Sequence, residues 1–344
     1  MHVIYGSGGS KAITLGTGAA LGFNVLDLRK WKSYGCASGG FVPASLMADQ
    51  QEPAQFLAHV IETDFDAMLT PRVGWLMRLI SVFRKYHYEK TRPVWGVYAT
   101  HKFQKYVDGA VKVWPEGFWT VAACIHGQVL FTKNGVYKYA ATRKGISDVG
   151  KLIADAPPST GTAAGATCAI PGLMDALPFA GEYLVDGALA GDGDTPTGVV
   201  PRHFKDERSK IIAIDVGDEE MKQAWWVRLL FNLGCGGYCR IPIDGRRAED
   251  HHAYAVIRPI QRDFHSLQFS LERDIKWKAV IAGYTHTVEM MVKLGLAPED
   301  TREKALTIMN DLNRMVNDKS LEGHLSCEVE QYLTEKGLYV ATAC

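Results

Sequence analysis

The chain has 344 residues, 47% of them apolar and 22% charged, which is enough for a sizeable core in one large domain or two small ones. Lys and Arg together number 38, as do Asp and Glu, so the formal net charge is zero. That balance argues against a nucleic-acid binder working through bulk charge. No apolar run reaches membrane-spanning length. Met1 leads straight into His2-Val3-Ile4-Tyr5, without the basic and long apolar regions of a signal peptide. The expectation is a cytoplasmic protein with no transmembrane segment. The seven cysteines are odd in number and scattered, which suits free thiols in a reducing compartment.

In chain order, a strand at 2–5 runs into the glycine-rich turn 6–10, and a helix rich in Ala, Leu and Gly follows over about 11–22. A second strand near 32–36 runs into Ser38, and Phe41 to Ala48 has a helical apolar pattern. Strand–turn–helix twice over predicts an α/β sheet covered by helices. Strands are predicted at 119–125, 127–131 and 136–140, the last two flanking the hairpin signal Lys133-Asn134-Gly135. Further strands fit 182–185, 210–215 and 253–258. Pro298-Glu299-Asp300 opens a helix with acidic residues in its first turn. Ala305, Ile308, Met309, Leu312, Met315 and Val316 then recur at helical spacing, and a last helix fits 327–336. Residues 297–344 read as a helical extension whose apolar stripe packs on the main domain.

Three short motifs carry chemistry. Gly6-Ser7-Gly8-Gly9-Ser10-Lys11 is a glycine turn at a strand-to-helix junction, whose exposed amides suit an oxyanion or a phosphate. It has neither P-loop nor dinucleotide-binding spacing. Cys36-Ala37-Ser38-Gly39-Gly40 places a serine among small residues after a strand; alone, Ser38 reads equally as a turn residue or a nucleophile. Asp186-Gly187-Ala188 ends an apolar strand and alone reads as a turn. Cys235 and Cys239 stand near His251 and His252, but Cys-x3-Cys with a His pair is a poor zinc signature, and no metal is expected.

Taken together, in this order and at this spacing, the three motifs resemble the patatin-like phospholipase family. Shorter islands add to the likeness: Ala166 to Gly172, Asp194-Thr195-Pro196, Lys210 to Gly217 and Gly283-Tyr284. Ser7, Ala12 and Cys36 depart from the glycines usual in that family, and the segment from Ala188 to Pro196 is longer than usual. The resemblance implies a three-layer α/β/α patatin-like fold with a mostly parallel sheet. It would span residues 1–296 as an acyl hydrolase domain, with a cap or lid inserted at 49–118 and the helical extension at 297–344.

The resemblance also implies a lipid acyl hydrolase that cleaves phospholipid esters through a Ser38–Asp186 dyad, with no cofactor. Gly8, Gly9 and Ser10 would form the oxyanion hole, and Lys11 would contact a lipid phosphate. A triad using His251 or His252 is the alternative base arrangement. The rivals are a neutral-lipid or small-ester esterase and a catalytically impaired lipid- or protein-binding module. Two segments, Pro71 to Tyr88 and Ala224 to Leu233, combine basic residues with Trp and other large apolar side chains. They read as core or lid helices, or as the parts that touch a membrane surface. A phospholipid at such a surface is the expected partner, with peripheral attachment, a homo-oligomer and a protein activator left open.

Overall fold

The computed structural model describes residues 1–71, 96, 98–143, 145–216 and 253–340. At its centre lies an eight-stranded sheet in the order β12-β11-β1-β2-β5-β6-β7-β8. Five of these strands are parallel neighbours: β12 (Ala255–Ile257), β11 (Ile211–Ile214), β1 (His2–Tyr5), β2 (Ser33–Cys36) and β5 (Phe118–Cys124). The sheet then continues antiparallel through β6 (Gly127–Thr132), β7 (Gly135–Thr142) and β8 (Gly145–Ala154). The remaining strands form two small antiparallel pairs, β3 (Thr70–Pro71) with β4 (Tyr98–Ala99) and β9 (Leu177–Phe179) with β10 (Glu182–Leu184).

The parallel strands are buried on both faces, so they read as continuous runs with no polar alternation. Val3, Tyr5, Ile212, Ile214, Phe118 and Ala122 belong to one apolar cluster, and Ile4, Ile211, Ala213, Trp119 and Val121 to another on the opposite face. Two polar residues at strand starts satisfy each other inside this core: His2 Nδ1 lies 2.7 Å from Ser33 Oγ, which also accepts from Trp119 Nε1 at 3.0 Å.

The first face is covered by α1 (Gly9–Val25), α2 (Phe41–Ala48), α3 (Pro53–Ile61) and the long α6 (Arg273–Lys293). Two further helices, α4 (His101–Ala110) and α5 (Thr160–Thr167), are docked by Asp108, whose Oδ1 accepts from the Gly161 N–H at 2.6 Å. Helix α1 is almost wholly buried because it packs closely on α6: a Cβ at Gly18 would sit 1.9 Å from the Val280 carbonyl oxygen. Among the described residues, the second face is covered by the segment 185–204, which folds as short 3-10 and π turns. Its Leu189, Ala190, Val199 and Val200 supply the apolar contacts.

The C-terminal helices α7 (Glu299–Asn317) and α8 (Leu325–Glu335) insert Ala305, Ile308, Met309, Leu312, Val329 and Leu333 into the main core. The interval 49–118 divides: Phe56, Leu57, Val60 and Ile61 of α3 lie in that same core, while Phe65, Met68, Leu69 and Phe103 wall a cleft. The basic, Trp-bearing stretches at 72–88 and 224–233 lie outside the described residues, as do Cys235, Cys239, His251 and His252. No helix among the described residues is long and apolar enough to cross a membrane.

Candidate active site

The site forms where β1 and β2 end. At the end of β2 the chain turns sharply, and Ser38 takes a left-handed conformation with φ of 50°. A non-glycine residue held there costs on the order of 1–3 kcal/mol, and such strain persists only where the surroundings impose it. The neighbours do impose it. A Cβ at Gly39 would sit 2.2 Å from the Gly9 carbonyl oxygen, so the serine turn and the glycine turn touch main chain to main chain. Cys36 ends β2 with its side chain buried and without a positive φ, so its Cβ meets no left-handed backbone strain. Ser7 is likewise accommodated, donating from its amide to the Asp194 carbonyl and from its hydroxyl to Asp194 Oδ1, both at 2.8 Å.

Asp186 arrives along the edge that β2 vacates. Residues Phe118–Thr120 of β5 pair with Tyr34–Cys36. Beyond Cys36 the chain leaves the sheet, and Val185 takes its place by exchanging two 2.9 Å main-chain hydrogen bonds with Ala123. The next residue is Asp186, whose carboxylate therefore faces the serine turn. Ser38 Oγ donates to Asp186 Oδ2 at 2.7 Å, and Asp186 Oδ1 accepts from the Ala188 N–H at 2.9 Å. The hydroxyl meets the carboxylate directly, with no imidazole between them.

Both groups are nearly closed to solvent, Ser38 at 5% and Asp186 at 4% exposure. Burial pushes the Asp186 carboxyl up to about 7, with the Ala188 amide and the Ser38 hydroxyl pulling the other way and the negative charge of Asp194 adding to the push. Cys168 stands beside them, and burial drives its thiol well above the ordinary range, so it stays protonated.

The serine opens into a narrow cleft of about 40 Å3. Its walls are Ile13, Phe65, Met68, Leu69, Phe103, Ile170, Met174 and Phe269, with Gly9, Ser38, Gly39, Thr100 and Cys168 at the reactive end. Among the described residues no lining side chain is charged. Such a lining suits an apolar group with one polar reacting centre.

The six residues singled out from the sequence fare differently. Ser38 and Asp186 are brought into hydrogen-bond contact. Gly8 and Gly9 have φ values of 144° and 53°, and among the described residues neither amide has a partner. The amide of Gly39 is in the same condition. Ser10 is not such a donor: its N–H is committed to the Ser266 carbonyl at 2.8 Å, and its hydroxyl donates to the same oxygen at 3.0 Å. Lys11 does not reach a surface phosphate either. It is 1% exposed, with its amine 5.9 Å from the centre of the Phe264 ring. Both departures come from the loop around 264–266, which closes over the start of α1 and is remote in sequence from it.

Sequence reasoning also passed over Thr167. It is fully buried, accepts the Ser38 N–H at 2.9 Å and donates to the Val121 carbonyl at 2.6 Å. Its only signal was a hydroxyl inside a helix of small residues. Among the described residues no three His, Cys, Asp or Glu side chains cluster as a metal site would require. No protein-family model matches this chain, and no curated protein matches it.

Proposed function

We propose that the protein is a lipid acyl hydrolase of patatin-like, three-layer fold that cleaves phospholipid esters at a membrane surface through Ser38 and Asp186. The observation that carries this reading is the 2.7 Å hydrogen bond from Ser38 Oγ to Asp186 Oδ2 beside a cleft whose described walls are largely apolar. Asp186 takes the proton of Ser38 as the oxygen bonds to the ester carbonyl carbon. The amides of Gly8 and Gly9, with Gly39 beside them, are suited to the charge that develops on the carbonyl oxygen. The alcohol leaves with the proton from Asp186. Water then attacks the acyl-enzyme, gives its proton to Asp186, and a fatty acid is released while Ser38 regains its hydrogen. A carboxyl near 7 suits this cycle, because it must both accept and return a proton at neutral pH. The apolar walls would hold the acyl chain.

The test is fatty-acid release from mixed phospholipid vesicles by wild type and Ser38→Ala. Release by wild type alone is expected, with a loss of at least about a thousandfold in the variant. Equal release from both would remove Ser38 as the nucleophile. Hydrolysis of neutral-lipid emulsions or short esters, with vesicles untouched, would keep the dyad and change the substrate. Equal vesicle binding by both proteins, with no hydrolysis of any ester, would leave a binding module.

A further inference from the structure

A serine in a left-handed turn points its own amide away from the sheet it has just left. The Ser38 N–H is therefore lost to β5, and Val121 of β5 is likewise out of reach of β2, which ends opposite Thr120. Two main-chain groups, one donor and one acceptor, are thus left in the core between the end of β2 and the arrival of Val185. Leaving either unpaired would cost about 1–3 kcal/mol. A hydroxyl can accept one hydrogen bond while donating another, and Thr167 does both, at 2.9 Å to the Ser38 amide and 2.6 Å to the Val121 carbonyl.

The same hydroxyl abuts the aspartate turn. A Cβ at Gly187 would lie 2.6 Å from Thr167 Oγ1 and 2.4 Å from the Val121 oxygen. One side chain, from the end of α5, therefore touches the serine turn, the central strand and the aspartate turn. It fills the gap between two backbone segments that must stay in register for Ser38 Oγ to meet Asp186.

We infer that Thr167 is a positioning residue, holding the Ser38 turn in its left-handed form and in register with Asp186. The inference rests on the dyad reading above. It requires the hydroxyl and not the bulk of the side chain, so Thr167→Val, which keeps the shape, removes the function, and Thr167→Ser restores it. Thr167 makes no hydrogen bond to the Asp186 carboxylate, so its loss changes the rate and leaves the pH midpoint in place.

The experiment compares wild type, Thr167→Val, Thr167→Ser and Ser38→Ala in their reaction with an alkyl fluorophosphonate, in which the serine oxygen displaces fluoride from phosphorus. Maximal inactivation rate and half-saturating concentration are measured separately, together with hydrogen exchange of the Ser38 amide. Thr167→Val is expected to lower the maximal rate about 10- to 100-fold with half-saturation within about threefold, because displacement of a reacting group by a fraction of an ångström costs rate more than binding. The Ser38 amide loses its exchange protection in Thr167→Val and keeps it in Thr167→Ser. A wild-type rate in Thr167→Val, or unchanged protection there, overturns the inference. If Thr167→Val does not fold, wild type decides: a Ser38 amide exchanging as fast as that of Gly39 overturns it, and slower exchange supports it. If wild type is not labelled at Ser38, or Ser38→Ala is labelled equally, the dyad reading fails, and amide exchange alone then decides whether Thr167 holds the turn.

Discussion

The parallel and antiparallel halves of the sheet are built from the same hydrogen bonds, yet they have opposite characters. In the parallel half, strands of three to seven residues are almost wholly buried, and β1 and β2 each end in a turn that leads into a helix. The Gly8–Gly9 turn follows β1, Ser38 follows β2, and Asp186 lies along the far half of β5. In the antiparallel half, strands of six to ten residues pass into one another through hairpins. The register of β7 against β8 slips twice, and Val149 on the edge strand is 80% exposed. Slips of this kind disturb an edge that would otherwise be a regular template for another chain. Parallel strands cannot return through a hairpin, so every strand end must redirect the chain over the sheet. Those redirections gather amides and side chains at one rim, the rim where open α/β sheets hold their ligands.

The comparison is broken most severely at Asp186. Asp186→Asn keeps the size of the side chain and its contact with the Ala188 amide, but it cannot take a proton from Ser38. Turnover is expected to fall by at least about a thousandfold, as when a dyad or triad member is removed. The same change should stabilise the fold. The carboxyl titrates near 7 in the folded protein and near 4 in an unfolded chain. Between those values the folded state keeps a proton that the unfolded state has lost, so stability falls as pH rises through that window. Above about pH 7 the cost is on the order of 4 kcal/mol, taking about 1.4 kcal/mol per unit. Thermal unfolding of Asp186→Asn should therefore occur at a higher temperature than wild type at pH 8. The gain should vanish below about pH 4. Equal melting at pH 8 would mean that Asp186 is not held as an ionised, desolvated group.

The pH profile is the next largest effect. The base works only when ionised, so kcat/KM should rise about tenfold per unit up to a midpoint near 7 and level off above it. A midpoint near 4 would place Asp186 in solvent contact. A rise with the same midpoint that persists in Asp186→Asn would return the base role to a histidine.

The parts of this arrangement that a sequence displays are those with local causes. The strand–turn–helix units over 2–25 and 33–48 are legible because apolar runs stop at glycines. Ser38 and Asp186 are legible because each is followed by a glycine that close packing demands. The edge strand β8 was missed: Asp148, Lys151 and two glycines interrupt any alternation along it. Helix α6 was recognised only at Gly283-Tyr284. Its inward face includes Lys276, a residue type that ordinarily marks the solvent side, yet the buried amine donates to the carbonyls of Ile61 and Thr63 at 3.0 and 2.6 Å. The fates of Ser10 and Lys11 depend on Ser266 and Phe264, more than 250 positions away, and no local pattern records that contact.

Glycines offer the finest test of the difference between the halves, because each half places them at turns but for different reasons. At Gly187 the demand is space: an added Cβ would press on the Val121 oxygen, Thr167 Oγ1 and Ala37 together. Gly187→Ala must push the aspartate turn away from Ser38. It should cost about 1–3 kcal/mol through overpacking, with a loss of activity larger than the loss of folded protein. At Gly145, the first residue of β8, an added Cβ would meet nothing within 4 Å among the described residues, and the φ of 122° is what resists it. Gly145→Ala should therefore cost on the order of 1 kcal/mol in backbone strain and leave kcat/KM unchanged. Urea unfolding and ester hydrolysis measured on both variants separate the two cases. A drop in kcat/KM for Gly145→Ala would show that the antiparallel half reaches the site, and the division drawn between the halves would have to be abandoned.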